Sequence, residues 1–100
     1  MGAARPAVRW LAATLVLAFA CAPSSGTVRG IVVEVDGSFE DVVSFTVLVE
    51  GERLDFIPVA GVDYAFPLPH LRDHLRSGEP VVVGWEVRDG ERVALSVEDG

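Results

Sequence analysis

The chain predicts a small, mainly β domain with one short helix, set behind a removable export segment, and three observations carry that reading. Apolar and polar residues alternate from Thr27 to Glu98, the period of strands that bury one face. A single stretch, Leu68 to Gly78, switches to helical spacing. Ahead of both, two arginines precede an apolar run that ends at Cys21 and a Pro-Ser-Ser-Gly segment.

The run from Trp10 to Ala22 is too short to span a membrane: at ~1.5 Å per residue it reaches about 20 Å, against a hydrocarbon core of roughly 30 Å. Nor does Leu11 to Ala20 carry the polar face of a core helix. Arg5 and Arg9, a short apolar centre and small residues before a breaker fit an export signal over residues 1–20. The junction Ala18-Phe19-Ala20-Cys21 resembles the lipobox of bacterial lipoproteins, with Ala20 matching well, Ala18 standing where Leu is usual, and Phe19 bulkier than the family's small residue. The resemblance implies that Cys21, the only cysteine, receives a diacylglyceryl group and becomes the new N-terminus, with palmitate-type chains anchoring the protein to the cell membrane or outer membrane of the cell envelope. Without lipidation the chain would be soluble and extracytoplasmic. Residues 21–27 are read as the lipidated Cys and a flexible tether, and residues 28–98 as the folded domain.

In the first strand Ile31, Val33 and Val35 share one face with Arg29, while Gly30, Val32 and Glu34 take the other, and Asp36-Gly37-Ser38 breaks it. Val43, Phe45, Val47 and Val49 mark a second strand, and a turn at Glu50-Gly51-Glu52 returns it into a third with Leu54 and Phe56. A Pro-, Gly- and aromatic-rich loop from Pro58 to Pro67 leads to the helix, where Pro69 suits the first turn, Leu68, Leu71 and Leu75 form the stripe, and Gly78 suits the C-cap. Val81, Val83, Trp85 and Val87 form the inward face of a fourth strand; after the Asp89-Gly90 turn, Val93, Leu95 and Val97 alternate with Arg92, Ala94, Ser96 and Glu98 in a fifth. This order, β-β-β-α-β-β, resembles the OB-fold, a five-stranded Greek-key barrel with one short helix between strands 3 and 4. An open β-meander packed on one helix is the competing architecture.

Beyond Cys21, six arginines face fifteen Asp and Glu, a formal balance of −9, and lysine is absent. Such a surface repels nucleic-acid backbones, so the oligonucleotide binding of many OB-folds is not expected. No serine sits in a nucleophile-elbow setting, and an enzyme is not expected. Phe39, Tyr64 and Phe66 fall in loops; they are candidates for contact with an exported protein or ligand, or caps on the open end of the barrel. His70 and His74 lie four apart on one helix flank, where the expectation is solvated side chains and no metal or cofactor; an exported metal- or cofactor-handling module using both is the alternative. The leading expectation is a non-enzymatic, membrane-anchored binding module.

Overall fold

The structure, a computed structural model, describes residues 23–100. The signal-peptide and Cys21 expectations fall on residues 1–22, outside the described residues. Five strands, β1 (Ser25–Gly37), β2 (Val42–Val49), β3 (Glu52–Pro58), β4 (Val81–Arg88) and β5 (Glu91–Asp99), close a barrel in the order β1-β2-β3-β5-β4. A 3-10 turn (Leu68–His70) and the helix α1 (Leu71–Ser77) stand between β3 and β4. The fold is the expected OB-like barrel. Closure excludes the open meander, because β1 pairs with β4 and a short parallel contact, Ile57 with Val93 and Pro58 with Ala94, joins β3 to β5.

β1 is long enough to serve two neighbours. Its first half, Ser25 to Gly30, pairs with β4, and from Ile31 onward it pairs with β2. Gly30 sits at the changeover, where a Cβ would lie 2.4 Å from the Leu48 carbonyl oxygen, so no side chain fits. The strand also begins earlier than the expected tether allows. Ser25 pairs with Glu86 and Gly26 with Trp85, whose indole lies so close that a Cβ on Gly26 would be 3.2 Å from a ring carbon.

Both hairpins turn as expected. Glu50 and Gly51, like Asp89 and Gly90, hold positive φ, the two-residue turn whose twist matches that of the flanking strands. The core contains Val32, Phe45, Val47, Leu54, Phe56, Leu71, Val81, Val83, Trp85, Ala94 and Val97, with Phe45 and Phe56 stacked at 5.5 Å.

Strict alternation fails at three places, each a register shift. Between Val32 and Glu34 one extra residue, Val33, enters β1, so Val28, Gly30 and Val32 face inward before it and Val35 after it. Of Ile31, Val33 and Val35, expected to share one face, only Val35 therefore packs against the core. Val43 is the extra residue of β2 and is 64% exposed, leaving Val42 to pack against the core. Leu95 is the extra residue of β5, so Ala94 and Val97 are buried while Leu95 is exposed. Val87, expected inside, also emerges at the end of β4. Bulges bend and twist the strands of a small closed barrel, and each inverts the pattern beyond it.

Candidate functional site

The 3-10 turn, the helix and the end of β5 bring His70, His74 and Asp99 together. Gly78 ends the helix in the left-handed conformation, φ 75°, and donates its N–H to the His74 carbonyl at 2.9 Å. The expected stripe of Leu68, Leu71 and Leu75 is displaced: Leu71 and His74 are buried, and Leu75 is exposed. The preceding 3-10 turn advances about 120° per residue against about 100° in an α-helix, which rotates the phase inherited from Leu68.

His74 is thus no solvated side chain. Its Nδ1 lies 2.8 Å from the Glu79 carbonyl oxygen, and its Nε2 lies 2.6 Å from Oδ1 of Asp99 at the end of β5. A carbonyl can only accept, so Nδ1 carries a hydrogen and donates it. His70, half-exposed, directs Nδ1 at the Asp73 carboxylate, 3.1 Å away, and Nε2 at the same Asp99 oxygen, 3.4 Å away. Phe66 packs against both imidazoles, edge-on to His70 at 4.7 Å between centroids and stacked on His74 at 5.8 Å. The nitrogen and oxygen ligand atoms of His70, His74 and Asp99 all lie within 4.8 Å of one another.

The electrostatics follow from these contacts. Burial works against charge on His74, but the Glu79 carbonyl and the Asp99 carboxylate outweigh it and raise the imidazole above its ordinary 6.5. A hydrogen bond from Arg76 holds the Asp73 carboxyl below its usual range, with His70 acting in the same direction.

The loop candidates separate. The Tyr64 hydroxyl accepts from Val59 N–H at 2.8 Å and donates to the Ala94 carbonyl at 2.7 Å, which fastens the loop across the β3–β5 closure. Phe66 belongs with the imidazoles. Phe39 is 81% exposed, beside a groove of about 300 Å³ lined by Pro67, Pro69, His70, Arg72 and Arg76. Arg72 secures the loop carrying Phe39 by donating to the Gly37 and Ser38 carbonyls. Of the cluster, sequence reasoning reaches His70 and His74 but misses Asp99, which lies 25 residues from His74 and arrives through the pairing of Val81 with Asp99.

Three serine hydroxyls are engaged in local hydrogen bonds. Ser38 accepts from the Asp41 N–H, Ser44 donates to Asp36, and Ser77 accepts from the Glu79 N–H. Fold and site together define a small OB-like barrel with two imidazoles and a carboxylate gathered where α1 meets the β4–β5 edge. Comparison with protein families, curated protein sequences and solved structures finds no match to this chain.

Proposed function

We propose that the chain is an exported lipoprotein whose barrel, tethered through acylated Cys21, is a non-enzymatic binding module for another exported protein or a ligand. The observation that carries this reading is the position of the only cysteine, at the end of the apolar run and four residues before β1 begins at Ser25. An extended chain covers roughly 3.5 Å per residue, so Cys21 and Ser25 lie at most about 14 Å apart. The barrel then stays close to the head groups, while its acidic surface is repelled by anionic lipid.

The exposed Phe39 and its groove are the contact surface best suited to a partner. On β4, Val81 beside the helix and Glu86 beside Ser25 are about 17 Å apart at strand rise, so the helix end stands away from the anchor. Feeding cells an alkyne fatty acid tests the anchor. The wild-type chain should take the label, and Cys21→Ala should not and should leave the membrane fraction; equal labelling of the two would refute acylation at Cys21.

A further inference from the structure

We infer that His70, His74 and Asp99 form a binding site for one divalent first-row transition cation of the zinc class, held by two imidazole Nε2 atoms and one carboxylate oxygen. The tautomers point there first. Each Nδ1 donates to a group that only accepts, the Glu79 carbonyl for His74 and the Asp73 carboxylate for His70. Both Nε2 atoms face one carboxylate oxygen, and the hydrogen that His74 Nε2 donates to Asp99 in the metal-free protein is released when a cation takes its place. Metal-bound histidines characteristically donate their other ring N–H to a carbonyl or carboxylate, which fixes the ring and strengthens the ligand. Here both outer partners are present, and Arg76 anchors Asp73 in turn.

The three ligand atoms lie within 4.8 Å of one another, and the two separations to Asp99 are close to those an ion requires. Tetrahedral zinc with bonds near 2.0–2.1 Å holds its ligand atoms about 3.3 Å apart. Asp99 Oδ1 already lies 3.4 Å from His70 Nε2 and 2.6 Å from His74 Nε2. The second separation must widen by less than about 1 Å, and Asp99, with a side chain 69% exposed at a strand end, is free to give it. The imidazole planes cross at 86°, and Phe66 covers both rings with an apolar surface. Nitrogen and carboxylate donors without thiolate favour zinc or its first-row neighbours over calcium or magnesium, which prefer all-oxygen sites. Three protein ligands leave a fourth position open, and His70 also lines the groove beside Phe39, so a donor group seated there adjoins the ion. This site stands whether or not Cys21 is acylated.

The full chain, purified in detergent and stripped with chelator, is titrated with zinc chloride by calorimetry and with cobalt chloride by visible absorption. One ion per chain should bind with a Kd of about 10 µM or tighter, and cobalt should give the intense visible bands of a four-coordinate complex. His70→Ala and Asp99→Asn should each weaken zinc by at least about 10-fold, Asp73→Asn should weaken it less, and Cys21→Ala should leave it unchanged. Nitrogen-detected NMR of the wild type needs no variant: zinc should move the Nε2 resonances of both histidines and leave their Nδ1 protonated. Binding weaker than about 10 µM, equal affinity in His70→Ala, or unmoved Nε2 resonances would overturn the site.

Discussion

Trp85 lies in the core at 9% exposure, on the face the alternation of β4 predicted, under Gly26 and with the Arg92 guanidinium 5.6 Å from its ring centre. Trp85→Ala should therefore cost about 3–5 kcal/mol in urea denaturation, comparable to the whole stability of a small domain. Among the described residues its indole N–H is buried without a partner, a penalty that Phe does not carry, so Trp85→Phe should lose much less than Trp85→Ala. Equal midpoints for the wild type and Trp85→Ala would place the indole outside the core. His74 gives a pH dependence in the metal-free protein. Its folded-state pKa is raised above 6.5, with Asp99 from β5 and His70 from the preceding 3-10 turn facing it. The resulting stability is fully present below 6.5 and is lost as pH rises through the folded pKa. Urea midpoints of chelator-treated protein should fall across that window, and His74→Gln should flatten the fall; a slope unchanged by the substitution would remove His74 as its source. Trp85 was legible because β4 keeps one phase from Val81 to Trp85. Asp99 was not, since its role depends on a strand pairing that brings distant residues together.

The helix and strands were legible at their turns and not in their phases. Gly51, Gly90 and Gly78 announce positive φ in the sequence, and the chain turns at each. Gly78→Ala should cost about 1–2 kcal/mol, read as a lower thermal midpoint, because a Cβ disfavours the left-handed C-cap although space around it is open. Gly30→Ala should be worse, since the obstacle is the Leu48 backbone carbonyl and not a movable side chain. Loss of β1–β2 amide protection in hydrogen exchange is the expected sign, and normal protection would show that the strands can part without unzipping. The bulges at Val33, Val43 and Leu95 left no mark in composition. A valine or leucine fits either face of a strand, and barrel closure decides which residue is extruded.

At the scale of the whole molecule, closure rests on a small contact. β3 and β5 meet in two register pairs, and the Tyr64 hydroxyl reinforces that junction by bridging Val59 and Ala94. Tyr64→Phe should cost about 1–3 kcal/mol and accelerate exchange of the Val59 amide, because one residue loses its acceptor and another its donor together. Unchanged exchange at Val59 would mean that the loop holds without the hydroxyl. Strand order was legible from the β-β-β-α-β-β sequence, whereas the loop's role was not, since a tyrosine among Pro and Gly reads equally as contact or cap. The proposal for the whole chain is that this barrel matures as a lipid-anchored protein, and the intact mass of the protein extracted from membranes tests it most directly. Lipid anchoring predicts a chain that begins at Cys21 and carries a diacylglyceryl group on its sulfur; a chain that retains Met1, or one cleaved elsewhere with an unmodified Cys21, would contradict it.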